Sequence, residues 1–415
     1  MPSNQERLRR AAADVLTRPA LYWALAAVFG IRVLILSALT GRRPDAEGMW
    51  EGAHAYLTDP SHMYVPAAKV LEQYHVIAPP GGLDAFVSPP TVALLALPVA
   101  WLPKNVAVDV WTVIDAAAII GGLLVLDRVI ATRHPLARPV FWLAAAYFPP
   151  LFVDISAGQR GGIAFLGAAL SILLESRRPV VAGLVGGLTA SLKYYPAAMV
   201  IGPRTSHRLP YAVALGAALV VVSAAAFIPL GWDGPAYYIQ HVLLPSLSSH
   251  NPDCSYDSVR TLFARVVGGE SYYYLPGPVT VTLPLHEPAL ATALTYASAV
   301  AFAGGAVWAA WRSGWNAPYG MALGFGLGAL IPSEVWPYQW LPLLPLILLL
   351  TVRAIEKRRT RTLVLLVFFL LGFVRQPCDL IFPNLWTLAA IGIFVLGLWE
   401  NRLFRNQPAG VTGGR

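Results

Sequence analysis

The sequence predicts an all-α polytopic membrane protein. Apolar stretches long enough to cross a hydrocarbon core, about 20 residues for about 30 Å, recur along the whole chain. Hydrophobic residues make up 56% of the 415 positions and charged residues only 13%, with a mean hydropathy of +0.57. That balance excludes an ordinary soluble domain. The cations are gathered into short segments between the apolar stretches, as orientation signals are. A backbone in lipid has to satisfy its own hydrogen bonds, so each stretch is expected to be a helix. The 35 prolines and 35 glycines do not argue for disorder, because membrane helices tolerate both and many of these residues stand at span ends. About 10–12 transmembrane helices are expected in one domain over 20–400, between a basic arm, 1–19, and a tail, 401–415.

The first span, near 20–40, follows the arginines 7, 9, 10 and 18 and lacks a small-residue cleavage site, so it reads as a retained anchor. Arg128, Arg133 and Arg138 fill one loop, Arg177 and Arg178 a second, and Arg204 and Arg208 a third. Lys357, Arg358, Arg359 and Arg361 mark a fourth, with Arg402 and Arg405 in the tail. Placing all of them in the cytoplasm gives one consistent topology with both termini inside. Spans near 139–157, 209–230, 317–333 and 362–376 then run outward, and those near 162–176, 287–313, 336–355 and 380–399 return. Block 89–127 must cross once, although Pro103 and Lys104 divide it. Its first part is expected as an interfacial or re-entrant helix, with a pair of full crossings as the competing arrangement. Block 179–203 must cross zero or two times, and the run from Lys193 to Pro196 interrupts it, as two half-helices meeting inside the membrane would.

With this topology the segments 41–88, 156–161, 231–286 and 333–340 share the outer side. A helical reading of 45–57 puts Asp45, Met49 and Gly52 on one face and Trp50, His54 and Leu57 on another, so this stretch is expected along the membrane surface. The loop 231–286 carries Trp232, Tyr237, Tyr238, His250 and Asn251 and the tyrosines 272–274, many of which an interfacial aromatic belt explains. The net charge of +8 belongs to the cytoplasmic loops and does not point to nucleic acid. No phosphate-binding Gly-rich loop, dinucleotide fingerprint, His-Glu-x-x-His or cysteine cluster is present, and neither a cofactor nor a metal is expected.

The stretch from Asp45 through Gly52, followed by Phe86-Val87-Ser88-Pro89-Pro90, resembles the start of glycosyltransferase family 87, a family of the GT-C superfamily of membrane glycosyltransferases. The likeness continues through Gly158-Gln159, Ala182-Gly183-Leu184 leading to Lys193 and Pro196, Asp257-Ser258-Val259-Arg260, and Trp336-Pro337-Tyr338-Gln339-Trp340. Tyr338 and Gln339 stand where the family's mannosyltransferases carry a histidine pair, and Asp257 stands where an Asn-Gln-Ser pattern leads with amides.

The resemblance implies a GT-C-type transmembrane domain in the plasma membrane with its active site outside. It also implies a transferase that moves a sugar, mannose on the first reading and arabinofuranose on the second, onto a glycolipid or cell-wall glycan. The outer face has no nucleotide-sugar pool, so the donor has to be a polyprenyl-phosphate sugar. Inversion at the sugar is expected. Such a site needs a base and a cation. Asp45, just past a span where a carboxylate is desolvated, is the expected base. Lys193, inside an apolar block, is the expected donor-phosphate ligand, helped by Arg260. Glu47, Gln159, Arg160, His250, Tyr338 and Gln339 are expected around the substrates. The plainer readings make Asp45 the N-cap of helix 46–57, Lys193 a snorkelling side chain, and Asp109, Asp115 and Asp127 paired structural groups. A function of another class, transport of a lipid-linked sugar, uses Asp45 and Lys193 as binding charges. Cys254 and Cys378, both on the outer side, are expected to be able to pair.

Overall fold

A computed structural model of the chain describes residues 18–39, 43–74, 86–130, 132, 134–248, 257–270, 272–274, 279–281, 285–331, 335–373 and 384–404. His250, Cys254 and Cys378, and with them the pairing of the two cysteines, lie outside these residues.

The architecture is helical. Helix α1 (Pro19–Leu39) is followed by α2 (Pro44–Thr58), a 3₁₀ turn at Pro60–His62, and α3 (Val65–Tyr74). Proline opens α2 because its fixed φ suits a first turn and its missing N–H would have no partner there. Residues Ala46, Met49, Gly52, Ala53 and Tyr56 are buried in α2, a three- and four-residue spacing that turns one face inward. That face lies on α4 (Pro90–Ala100) and α5 (Lys104–Ile130), and Gly52 sits directly under the Phe86 ring, where a side chain would collide. The 11 residues of α4 make about 16 Å of helix, too short to cross a bilayer alone, while the 27 of α5 make about 40 Å. Two ion pairs bracket α5, Arg43 with Asp109 near its start and Arg138 with Asp127 at 2.7 Å near its end.

The expected span 139–157 is two helices, α6 (Ala137–Tyr147) and α7 (Pro149–Ala157), bent by 49°. Pro149 and Pro150 have no N–H to continue the first helix, which accounts for the bend. Helix α8 (Gly161–Glu175) and α9 (Pro179–Leu192) follow, and α9 stops at Lys193, whose backbone is extended, before a 3₁₀ segment at Tyr195–Ile201. The break in block 179–203 is therefore a short helix joined to a 3₁₀ piece rather than two α-helical halves. Helix α10 (Arg208–Phe227) runs on to Leu230 as a 23-residue apolar stretch.

The described residues of the long loop form α11 (Gly234–Tyr238), a π-turn at Ile239–Leu243, α12 (Leu244–Ser248) and α13 (Val259–Val266). The loop also holds a two-stranded antiparallel ribbon, β1 (Tyr272–Tyr274) against β2 (Val279–Val281), which a reading as purely helical did not anticipate. Then come α14 (Pro288–Arg312), α15 (Ala317–Leu330), a 3₁₀ segment at Pro337–Leu343, α16 (Leu344–Glu356), α17 (Thr360–Leu371) and α18 (Leu385–Trp399), closed by a 3₁₀ turn at Glu400–Phe404. Among the described residues four helical stretches are long and apolar enough to cross a membrane unaided, five if α6 and α7 form one span, and six shorter apolar helices accompany them. Helices α10 and α14 expose Val213, Val220, Val221, Leu290, Tyr296 and Val300, an apolar exterior suited to lipid.

Two hydrophobic cores adjoin. The larger surrounds α15, whose side chains are almost all buried, and includes Tyr195, Trp340, Leu348 and Phe394. The smaller, under α2 and α4, includes Met49, Tyr64, Val92, Trp111 and Leu192. Leu192 belongs to one core and Tyr195 to the other, so the break at Lys193 falls where they meet.

Candidate active site

The first functional group is placed by a glycine. Helix α7 ends at Gly158, whose φ of +67° is left-handed, and a Cβ there would lie 2.6 Å from Cβ of Ala46 and 3.2 Å from Cβ of Arg43. Only glycine meets both demands, the backbone conformation and the approach to the first turn of α2. This contact carries Gln159 to Asp45. Gln159 is buried, with its N–H donating to the Asp154 carbonyl at 3.0 Å and its carbonyl accepting from Trp111 Nε1 at 3.0 Å. Its side chain hydrogen-bonds to Asp45. Asp45 lies in the first turn of α2, behind Pro44, and Arg43 holds the N-cap position, so Asp45 is not the cap that the plainer reading made it. Half-buried, Asp45 has its carboxyl pushed up from the usual range chiefly by desolvation, against the Gln159 hydrogen bond and the positive charges of Lys193 and Arg160.

The second group is Lys193. Its ammonium stands 3.9 Å from Asp154 Oδ1, 4.9 Å from the centre of the Tyr338 ring and 5.6 Å from that of Tyr195. Its side chain is 5% exposed and that of Asp154 0%, so the charges meet out of water. Arg160 reaches the same place, donating from Nε to the Leu192 carbonyl at 3.0 Å. Beneath them the N–H of Gly162 donates to Asp115 Oδ1 at 2.9 Å and to Asp154 Oδ2 at 3.1 Å, which brings the two carboxyls to one amide at the start of α8. Lys193 is held there by backbone packing. Gly320, Gly324 and Gly328, spaced by four on one face of α15, let the 3₁₀ segment lie against the helix; a Cβ on Gly328 would be 2.7 Å from the Cα of Tyr195, and one on Gly324 would strike the Ala198 carbonyl.

A half-buried carboxylate, an orienting amide and a buried cation in one cluster suit a transfer in which a hydroxyl loses its proton and an anion departs. The model of glycosyltransferase family 87 matches residues 86–333, more than half of the chain. The chain belongs to glycosyltransferase family 87. It is a membrane glycosyltransferase, and the GT-C-type helical architecture agrees with that membership. No curated protein matches it. The family match takes in Asp154, Gln159, Arg160, Lys193 and Arg260, whereas Asp45, Glu47, Tyr338 and Gln339 flank it.

In this family 87 chain the structure gathers Asp45, the adjacent Gln159 and Arg160, Lys193 and Tyr338 from four separate segments of the sequence. Other expected site residues are engaged elsewhere. Glu47 pairs with Lys104 at 2.9 Å, as Glu51 does at 2.8 Å, which ties α2 to α5. Gln339 accepts from the Trp336 N–H at 2.7 Å and so closes the start of its 3₁₀ segment. Arg260 stands on α13, partly buried, and is not among the groups whose charges act most strongly on Lys193. Helix α13 is anchored by Asp257, which accepts from the Thr387 N–H at 3.1 Å and hydroxyl at 2.6 Å, and by Asn384, which donates to Thr261 Oγ1 at 2.8 Å. Asp109 and Asp127 are paired, as the plainer reading had them. Among the described residues no three His, Cys, Asp or Glu side chains are grouped as metal ligands.

Asp154 was missed by sequence reasoning, and Asp115 was passed over as structural. The available signal was the acid within Phe152-Val153-Asp154-Ile155, since a buried lysine elsewhere in the same apolar domain calls for a counter-ion.

Proposed function

We propose that this family 87 enzyme is an inverting transferase that moves a sugar, mannose on the first reading, from a polyprenyl-phosphate donor to a glycolipid or cell-wall glycan on the outer face of the plasma membrane. The observation that carries the reading is the presence of the Asp45 carboxylate and the Lys193 ammonium in one cluster. The acceptor hydroxyl gives its proton to Asp45 as its oxygen attacks the anomeric carbon. The bond from that carbon to the phosphate oxygen breaks, the electron pair leaves with the polyprenyl phosphate, and attack from the opposite face inverts the centre. Burial makes Asp45 a better proton acceptor than an exposed aspartate, and Gln159 fixes the direction of its carboxylate. Lys193, helped by Arg260, balances the charge on the departing phosphate. Arg160, His250 and Tyr338 are assigned to sugar and acceptor contacts, whereas Glu47 and Gln339, held by Lys104 and the Trp336 N–H, are assigned to shaping the site around them. The clustering of arginines and lysines in the opposite set of loops supports cytoplasmic termini and an outer site.

The test is incubation of the purified protein with polyprenyl-phosphate mannose and, separately, with polyprenyl-phosphate arabinofuranose, each with a membrane glycolipid extract. Glycolipid product from the mannose donor is the expected result. Product from the arabinofuranose donor alone would move the sugar and keep the chemistry. Binding of both donors with no product from either would leave lipid-linked sugar transport in place of catalysis.

A further inference from the structure

The cluster holds more charge than base and phosphate ligand require. Three carboxyls, Asp45, Asp154 and Asp115, face two cations, Lys193 and Arg160, and Asp154 and Asp115 are wholly buried. A buried ammonium with no counter-ion is strongly destabilising, and removing one partner of such a pair leaves the other uncompensated. Asp154 is the only carboxylate within ion-pair distance of Lys193 among the described residues, yet the 3.9 Å separation is longer than a hydrogen bond. The Lys193 ammonium has no hydrogen-bond partner among the described protein atoms, whereas the Asp154 carboxyl is hydrogen-bonded to that of Asp115. The carboxyl's other oxygen is fixed by the Gly162 amide, at the positive end of α8, and that amide is shared with Asp115. The glycines at 161 and 162 leave the room: a Cβ on Gly161 would collide with Asp154 and one on Gly162 with Asp115. Asp154 is thus locked from behind while its contact with Lys193 stays loose.

We infer that Asp154 is a positioning residue for the transfer: it keeps Lys193 charged and aimed, at a distance that leaves the ammonium's hydrogens for the phosphate of a polyprenyl-phosphate lipid. This rests on the assignment of Lys193 as the phosphate ligand. When phosphate arrives, Lys193 donates to it without first breaking a hydrogen bond to Asp154. The carboxyl stays on the Gly162 amide, so no rearrangement of α8 is needed.

Farnesyl phosphate, a short polyprenyl phosphate, tests this without reference to the sugar. Its Kd is measured for wild type, Asp154→Asn and Lys193→Met in nanodiscs at pH 8 and pH 6, and each variant is compared with wild type at the same pH. Asparagine keeps the shape and the bond to Gly162 but removes the charge, so at pH 8 an amine without its counter-ion loses its proton. Asp154→Asn is expected to weaken binding at least tenfold at pH 8 and to return to within threefold of wild type at pH 6, where acid recharges Lys193. Lys193→Met is expected to be weak at both. An Asp154→Asn loss that is the same at both pH values would show a role in shape only and overturn the inference, as would unchanged affinity at both. Unchanged affinity in Lys193→Met would instead remove the phosphate assignment itself. Asp154→Asn is expected to melt below wild type, with the larger deficit at pH 6, where the ammonium is charged without its counter-ion; an equal deficit at both pH values would show that packing, not charge, is what Asp154 supplies.

Discussion

Replacing Gly158 by alanine tests how closely the site depends on the contact between α7 and α2. The residue sits at φ +67°, and for an L-residue that conformation costs roughly 1–2 kcal/mol. The new methyl would lie 2.6 Å from Cβ of Ala46, where carbon atoms rest at about 3.5–4.0 Å, so the two segments must part by about 1 Å. Ala46 is the neighbour of Asp45, and Gln159 is the neighbour of Gly158, so the displacement falls on the Asp45–Gln159 hydrogen bond. A misplacement of about 1 Å can lower turnover about 100-fold, which corresponds to about 2.7 kcal/mol of barrier. The assay is initial-rate sugar transfer from a polyprenyl-phosphate donor, with thermal melting of the same preparations. Gly158→Ala is expected to melt a few degrees lower and to lose about two orders of magnitude in kcat. Gly304→Ala is the control, because nothing lies within 4 Å of the position its Cβ would take. Turnover of Gly158→Ala within threefold of Gly304→Ala would refute the argument that this contact positions Asp45.

Asp45→Asn should fold and bind donor as wild type does while transfer falls by about two or more orders of magnitude, the scale of a lost positioned base; near-normal turnover would discard the assignment. Gly324→Val forces a branched side chain against the Ala198 carbonyl, and the overpacking should cost about 1–3 kcal/mol, read as a lower melting temperature or poor recovery from detergent. A melting temperature equal to wild type would mean the 3₁₀ segment is not pinned by α15. Burial pushes the Asp257 carboxyl up to about 6, with the Thr387 hydrogen bonds and the Arg265 charge opposing. Because the folded value is raised, its stability contribution is full below about pH 4 and is lost as pH climbs through 6, a change of about 3 kcal/mol. Hydrogen exchange across 257–266 should therefore quicken in wild type between pH 4 and 7, after correction for intrinsic rates, and stay flat in Asp257→Asn; parallel profiles would contradict it.

Uniform apolar stretches were read from sequence almost to the residue: the expected spans 209–230 and 287–313 are helical over Arg208–Leu230 and Pro288–Arg312. Such runs leave lipid-spanning helix as their only outlet. The bend at Pro149 was not read, because hydropathy registers composition along 139–157 and is blind to direction. The interruption at Lys193 was legible, since a charge next to a proline cannot continue an apolar helix. Its counter-ion was not, because the pairing of Lys193 with Asp154 depends on how α7, α8 and α9 pack and leaves no spacing in the chain. The same holds for the join between the long loop and the last helix. Sequence suggested a link through Cys254 and Cys378; the described residues make that join with Asp257, Asn384 and Thr387, polar residues whose meeting no local pattern announces.

The two ion pairs on α5 act as a ruler. From Asp109 to Asp127 the helix rises about 27 Å, and between these fixed charges only Asp115, turned inward, is ionisable. A bilayer whose hydrocarbon matches that span leaves both pairs at its surfaces, whereas a thicker one must thin locally or draw a pair into oil. Arg43 belongs to one of these pairs and lies two residues before Asp45, so if α5 crosses the bilayer, lipid chain length would act on the segment that carries Asp45. Turnover in vesicles of graded acyl length should peak near the matching thickness and fall on the longer side, which makes the composition of the membrane a control on this enzyme's rate.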